Sequence, residues 1–364
     1  MIKKGVFPLE PKVYIVLVNW NGWADSIECI ESLLHSRYSN YEIILVDNGS
    51  TDDSVIKIKE WAADSFSLWI SNTIILRKFS MPPHANPISC VEHASSEIAS
   101  VFENRGAFSS KCAQERYQTL YAKKTFHLII SDRNGGFGAG NNLALKLVQL
   151  RGDGDFIWLL NNDTVVTSNA MTEMVGCAQE NNGIVGATLF YYHIPDKIQA
   201  YGGGYFSQAT GIVRTATHTR PNHLDFINGA SFMFSSQILQ AVGFFDENIF
   251  LYFEEFDYCF RAENKGYRCF LSDAVVYHKH GASSSNADDS FAWRHILKNK
   301  PYVLKKNFGY GFWLLFFIFG VIFSALGLAS TSGKRTASRA VIAEWAGRFC
   351  YRGTSPLGEE KIPK

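Results

Sequence analysis

Between Phe245 and Ala262 the sequence reads FDENIFLYFEEFDYCFRA, with five carboxylates in residues 246–257 set among seven aromatic rings. Glu254, Glu255 and Asp257 sit against Phe253, Phe256 and Tyr258. Such surroundings disfavour the charged carboxylate and raise its pKa toward the range of a general base. A solvated acidic helix face is the common alternative, but such faces are rarely this aromatic. A second group lies in FIWLLNNDTVV, residues 156–166. The apolar run Phe156–Leu160 has strand length and is stopped by Asn161, Asn162 and Asp163. A lone carboxylate after two amides suits a hard divalent cation that shares its coordination with substrate phosphates and water. A helix cap is the alternative, since Thr164, Thr167 and Ser168 follow. Farther on, VVYHKHGASSS (275–285) puts His278 and His280 after a strand, where a His near an Asp and a carboxylate cluster is a metal-ligand candidate.

These groups need a frame. VYIVLVNW (13–20), YEIILVDNGS (41–50), FHLIISD (126–132) and FIWLLNN (156–162) read as strands. ADSIECIESLLHS (24–36), DDSVIKIKEWAAD (52–64) and NNLALKLVQL (141–150) have helical spacing. The alternation predicts a largely parallel sheet with helices on both faces. Three of the strands end in Asn or Asp, so polar groups collect at the carboxyl edge of the sheet, where open α/β folds bind ligands. There Asp47 either accepts from a base or ribose or forms an Asx turn with Asn48-Gly49. NGGFGAGNN (134–142) is a Gly-rich loop opening a helix, where backbone N–H groups could meet phosphates. It is not a dinucleotide fingerprint, because Asn141 stands where the third glycine belongs, and no GxxxxGK[ST] loop occurs. A Rossmann dehydrogenase and a P-loop NTPase are therefore disfavoured. Residues 76–124 break the rhythm and read as an inserted surface excursion, helical over VEHASSEIASVFEN and SSKCAQERYQTLYAKK.

At 364 residues, with 19% charged and 14% aromatic residues, the chain can bury one large or two ordinary domains. Its net charge of +1 hides an asymmetry. From Arg294 onward twelve Lys or Arg face three Glu, so the tail is near +9 and the remainder near −8. Within that tail GFWLLFFIFGVIFSALGLA (311–329) carries no charge and is about as long as a bilayer-crossing helix, on the order of 20 residues. Basic clusters flank it on both sides, which leaves spanning and interfacial attachment equally open. The apolar run before Asn19 is too short for a signal-peptide core, so the catalytic part is expected at the cytoplasmic face of the inner or plasma membrane. Seven scattered cysteines without a CxxC read as reduced thiols.

The series VNWNG, VDNGSTDDS, NGGFGAGNN, WLLNNDTVV, FINGASFMFS, GFFDENIFLYFEEFDYCFRA and HKHGASS resembles glycosyltransferase family 2. More narrowly, it is similar to the bacterial rhamnosyltransferases that build O-antigen and other surface polysaccharides, over roughly 12–307 apart from the insertion. The resemblance implies a GT-A fold over 12–282, Rossmann-like with a mostly parallel sheet; the apolar run and its basic flanks add a hydrophobic helical, membrane-associating region over 283–364. It also implies a nucleotide-sugar donor and a divalent cation, Mg or Mn. Asp47 would hold the donor's base or ribose, within a donor-binding set of Asn19, Asn21, Asp47, Asn48, Gly136, Gly140, Asn141, Asn162 and Asp163. Asp163 matches the last acid of the family's DxD motif. Here that motif reads Asn-Asn-Asp, so metal binding would lean on His278. Glu255 matches the second acid of the paired-acid motif, where the catalytic base sits, with Glu254 beside it. Asp257 and Arg261 match a supporting acid and arginine. The implied reaction is inverting transfer, with dTDP-L-rhamnose as donor and a polyprenyl-diphosphate-linked sugar as acceptor. Two rivals stand: another donor such as UDP-galactofuranose, and a non-catalytic membrane scaffold with a degenerate transferase fold.

Overall fold

The computed structural model of the protein describes residues 10–65, 74–84, 87–104, 126–207, 212–279, 289–309 and 311. The chain begins β1 (Val13–Asn19), α1 (Trp23–Leu34), β2 (Tyr41–Asp47), α2 (Ser54–Ala62), α3 (Ile74–Arg77), β3 (Cys90–Ala94), α4 (Ser95–Asn104) and β4 (Phe126–Ile130). It continues through α5 (Phe137–Arg151), β5 (Phe156–Leu160), β6 (Thr164–Val166), α6 (Ala170–Asn181), β7 (Ile184–Tyr191), β8 (Ile194–Tyr201) and β9 (Gly203–Phe206). β10 (Val213–Thr215), β11 (Phe226–Ile227), β12 (Ser231–Ser235), α7 (Ser236–Val242), α8 (Glu254–Glu263), β13 (Cys269–His278) and α9 (Asp289–Phe308) follow. The chain divides into two compact units after Ser285, and α9 lies in the second.

The main sheet runs β3-β4-β2-β1-β5-β12-β7-β13-β6, with β8 added to β7. From β3 to β5 all neighbours are parallel. β12 then runs antiparallel to both β5 and β7, while β13 returns parallel to β7. β1 and β2 are near-continuous apolar runs because helices cover both faces of the parallel half. On one face Ile15, Leu17, Leu45 and Trp158 pack with Ile27, Ile30 and Leu33 of α1, Trp61 of α2 and Met174 of α6. α5 lies against β1 and β2. A three-stranded sheet, β10-β9-β11, stands apart from the main one, and β11 contacts α8.

The excursion is not a mere surface loop. Cys90–Ala94, of which 91–94 were expected as helix, is the edge strand β3, parallel to β4 from Cys90↔Phe126 to Ala94↔Ile130. Helix begins only at Ser95. A short edge strand with Glu92 outward is a common defence against edge pairing, and its inward residue, His93, is what anchors it. The second expected helix, 109–124, lies outside the described residues, as does the apolar segment after Gly311. Among the described residues no helix is long and apolar enough to cross a membrane.

His93 joins a buried polar cluster. Its Nε2 lies 3.0 Å from His127 Nδ1, and His127 Nε2 lies 3.0 Å from Glu42 Oε2. Arg151, at the end of α5, donates from Nη1 and Nη2 to the two oxygens of Glu42 at 2.5 and 2.9 Å. Lys12 adds a second cation 2.7 Å from Glu42 Oε1. Burial alone would raise the Glu42 carboxyl, but the bonds from His127 and Lys12 and the Arg151 charge bring it down to about 2. A depressed carboxyl contributes stability that is complete above the unfolded value of 4.5 and is lost as pH falls through the folded one. Removing one partner of a buried ion pair costs about 3 kcal/mol or more. Glu42→Gln is therefore expected to lose about that much in urea denaturation near neutral pH. The gap to wild type should narrow as pH falls below 4.5.

Candidate active site

β2, β1 and β5 lie side by side, and Asn19↔Asp47 is the last matched pair of β1 and β2. Asn19, wholly buried, ties the three strand ends together. Its Nδ2 donates to Asp47 Oδ1 at 2.8 Å and to Ser50 Oγ at 3.2 Å. Its Oδ1 accepts from Ser26 Oγ at 2.9 Å and Gly22 N at 3.2 Å. Asn162, just beyond β5, donates to Ser26 Oγ at 2.9 Å and to Asn19 Oδ1 at 3.4 Å. Asp47 also accepts from Ser50 N at 3.0 Å and Ser50 Oγ at 2.6 Å. Its carboxylate is thus committed to the turn and to Asn19, the Asx-turn alternative. Asn21, in the left-handed region at φ 53°, accepts from Thr51 N at 2.8 Å and faces solvent with Thr51 and Asp52.

The Gly-rich loop is held largely by the protein itself. Four of its N–H groups have partners inside the protein: Gly135 on Asn48 Oδ1, Gly136 on Asn134 Oδ1, Phe137 on Phe250 O and Gly140 on Gly136 O. A Cβ on Gly136, at φ 88°, would lie 2.2 Å from Phe250 O, and one on Gly140 would lie 2.9 Å from Val18. At these two positions the glycines admit close approach of protein backbone and side chain. Asn48 donates to Asn134 Oδ1 and Gly136 O, and buried Asn141 donates to Phe137 O, so Asn48, Gly136, Gly140 and Asn141 shape the loop. Helix α5 begins at Phe137, four residues earlier than its apolar spacing suggested.

The same loop carries the acidic segment to this edge. Besides the Phe137–Phe250 bond, Asn142 donates to Phe245 O and Glu247 Oε1 and accepts from Phe245 N. Tyr252 and Phe253 then take left-handed conformations, φ 66° and 75°. Each costs a non-glycine residue roughly 1–2 kcal/mol, a strain that gathers at functional sites. α8 starts on this pedestal with Glu254 and Glu255 in its first turn. Their Oε2 atoms are fully buried without a hydrogen-bond partner. Phe256 stacks 3.9 Å from Phe226 and 5.0 Å from Phe253 beside them. Burial, then the Glu255 charge, push Glu254 well above its ordinary value, and burial raises Glu255 to about 7. Glu254 is buried throughout, while Glu255 is half-buried with its carboxyl tip inward. Asp257 behaves differently. It is wholly buried and bonds Arg261 Nε at 2.8 Å, and Arg261 in turn donates to Val242 O and Phe244 O. A committed ion pair makes Asp257 a support for the 242–244 loop, not a reacting acid.

The third part comes from β13. His278 pairs in register with Thr164 of β6, which sets its ring beside Asp163. His278 Nε2 lies 3.2 Å from Asp163 Oδ1, and Lys279 N donates to Asp163 O at 2.9 Å. Burial works to raise Asp163, but His278 and Lys279 outweigh it and keep the carboxyl below its usual range. Lys279 Nζ bridges Asp25 and Glu28 of α1 at 2.5 Å each, fastening β13 to that helix. Sequence reasoning missed Lys279, although it adjoins His278. His280 lies outside the described residues.

Among the described residues no three His, Cys, Asp or Glu converge as a complete metal cage. One carboxylate and one imidazole nitrogen directed at each other do suit a hard divalent cation that completes its shell with diphosphate oxygens and water. The donor set fits such an ion with most of its shell left to substrate and water. Two cavities, of about 520 and 810 Å³, lie at the opposite, amino ends of the strands and touch none of Asp163, Glu254 or Glu255. The chemistry, not cavity depth, marks the carboxyl edge.

Residues 14–98 match the family described as glycosyl transferase family 2, and residues 88–293 match glycosyltransferase like family 2. A low-salt glycan biosynthesis hexosyltransferase of Haloferax volcanii is 23% identical over 156 residues, 41% of this chain and 51% of that protein. The chain thus spans about half the length of this curated relative. Among solved structures, a mannosyltransferase from Pyrobaculum calidifontis in complex with GDP-Man and Mn2+ is similar over 95% of this chain and 82% of its own, at 11% identity and a TM-score of 0.46. GalNAc-T7 with UDP, GalNAc and Mn2+ is similar over 81% of this chain and 50% of its own, at 14% identity and a TM-score of 0.48.

Asn19→Leu keeps the volume and removes every side-chain bond that Asn19 makes. It leaves Asp47, Ser26 and Asn162 short of partners in a buried place, where each lost partner costs about 1–3 kcal/mol. Thermal or urea unfolding is expected to show a loss of at least about 2 kcal/mol.

Proposed function

Because the chain belongs to the glycosyltransferase-like family 2, matched over more than half its length, we propose that it is an inverting, metal-dependent glycosyltransferase. One observation carries the reading most: Glu254 and Glu255, whose buried Oε2 atoms have no hydrogen-bond partner, open a helix at the sheet edge that also holds Asp163 and His278. A stable fold has no use for such a pair, and a general base has.

Glu255, the more exposed of the two, takes the proton of an acceptor hydroxyl. That oxygen attacks the anomeric carbon of the sugar from the face opposite the nucleotide. The bond to the diphosphate oxygen breaks, its electron pair leaves with the nucleoside diphosphate, and the configuration inverts. Glu254 shares its environment with Glu255 and opposes a second charge there. Asp163 and His278 would hold the divalent cation, Mg or Mn, which supplies neutralisation of the leaving diphosphate. The knot of Asn19, Asp47 and Asn162 shapes the ledge, and Asn21 with the 50–52 loop faces the donor.

The donor in this reading is dTDP-L-rhamnose and the acceptor a lipid-linked or other saccharide in cell-surface polysaccharide synthesis. The motif series quoted above supports that choice. The basic C-terminal region supports work at the cytoplasmic face of a membrane, where each Lys or Arg near an anionic surface contributes about 1 kcal/mol. A panel of nucleotide sugars, scored by nucleoside diphosphate released on transfer to lipid extract, tests it; turnover with none of them would refute it.

Glu255 must be ionised to act, so the rate at low substrate should climb with pH toward a plateau above about 7. Glu255→Gln should lose that limb and roughly 100- to 10,000-fold in kcat. Because burial raises this carboxyl, the folded state holds its proton longer than the unfolded one. Stability should therefore decline between pH 4.5 and about 7 in wild type, and decline less in Glu255→Gln. Asp163→Asn should cost roughly 100-fold or more in rate, as expected for one lost electrostatic contact to the leaving group. Undiminished wild-type turnover in excess chelator would count against the metal.

A further inference from the structure

β7 and β8 pair antiparallel with Leu189 opposite Ala200 and Phe190 opposite Ile198. Gln199 therefore has no counterpart on β7 and is the extra residue of a β-bulge. Bulges break the ladder locally and re-aim a side chain, and they recur beside active sites. This one aims an amide into the protein: Gln199 is buried, and its Oε1 lies 3.0 Å from His278 Nδ1. On the other side of the ring, Nε2 lies 3.3 Å from Asn161 Nδ2 and 3.2 Å from Asp163 Oδ1. Both amides are oriented for the same tautomer. Nδ1–H donates to Gln199 Oε1, and the Nε2 lone pair accepts from Asn161. That lone pair then confronts a carboxylate oxygen across 3.2 Å. Such a contact is favourable with a positive charge between the two atoms, either a proton on Nε2 or a cation that both atoms bind.

We infer that Gln199 is a positioning residue: its bulge-aimed amide fixes His278 in the tautomer whose Nε2 joins Asp163 as a ligand of a divalent cation. The inference rests on the metal-dependent reading above and adds the residue that sets the geometry of its imidazole. The partner on the second nitrogen of a ligating His fixes ring orientation and tautomer and raises ligand basicity. With two protein ligands in place of a full cage, that contribution weighs more. The Asn-Asn-Asp sequence fits the same logic, because Asn161 is an amide that can point an N–H at Nε2 until a cation displaces it.

The test uses the full chain, Mn2+ alone as the probe, water-proton relaxation for affinity and long-range 1H–15N spectra for the His278 tautomer. Gln199→Leu should weaken Mn2+ binding by roughly 10- to 100-fold, whereas Gln199→Glu, which keeps an acceptor on Nδ1–H, should bind at least as well as wild type. The spectra should show Nδ1–H in wild type and Gln199→Glu and lose that preference in Gln199→Leu. Wild-type Mn2+ affinity in Gln199→Leu, an equal loss in Gln199→Glu, or an Nε2–H tautomer in wild type overturns the inference alone. A wild-type chain that takes up no Mn2+, or uptake that Asp163→Asn leaves unchanged, overturns the metal-dependent reading and this inference with it.

Discussion

Polar side chains at the carboxyl ends of three parallel strands have to find partners among themselves, and Asn19 is where they meet. Strand ladders satisfy backbone groups, but they offer nothing to Asn19, Asp47 or Asn162. One amide, donor on one side and acceptor on the other, links β2 through Asp47 and Ser50 to α1 through Ser26 and on to Asn162 beyond β5. A fully satisfied buried network is rigid, and a half-satisfied one is costly. The knot therefore fixes the loops that follow all three strands, and Asp163 follows Asn162 directly.

Against that saturation, the unpaired groups stand out. Asp47 is absorbed in a turn, Asp257 in an ion pair, and Asp163 faces an imidazole. Glu254 and Glu255 have neither cation nor hydroxyl at their buried oxygens. One edge thus holds carboxyls pushed in opposite directions: Asp163 below its usual range, the glutamates above theirs. Such divergence divides the labour between a charge that holds a cation and a carboxyl that takes a proton. The strained pair Tyr252–Phe253 presents the glutamates, and the Gly-rich loop, packed on Phe250, holds that strain in place.

Much of this was legible in the sequence where the signal is local. Continuous apolar runs broken by Asn or Asp marked β1, β2 and β5 and the edge where they end. Aromatic crowding around Glu254 and Glu255 foretold their raised carboxyls. What stayed hidden depends on distant partners. The resemblance gave Asp257 and Arg261 as a supporting pair, but not that Arg261 clamps Val242 and Phe244. A glycine that admits Phe250 reads the same as one that admits a phosphate. β3 carries too few residues for a strand period to emerge beside the helix that follows it. Gln199 sits in a bulge, and a bulge is a mismatch between two strands that neither one records alone.

The poised pair of glutamates is open to direct observation. In protein carrying 13C-labelled glutamate, side-chain carboxyl shifts followed across pH report each titration separately, with Glu254→Gln and Glu255→Gln supplying the assignments. A buried pair whose Oε2 atoms lack partners gives at least one carboxyl with a midpoint near 7, and Glu255→Gln lowers the midpoint of Glu254. Two carboxyls that both titrate near the ordinary 4.5 would contradict it.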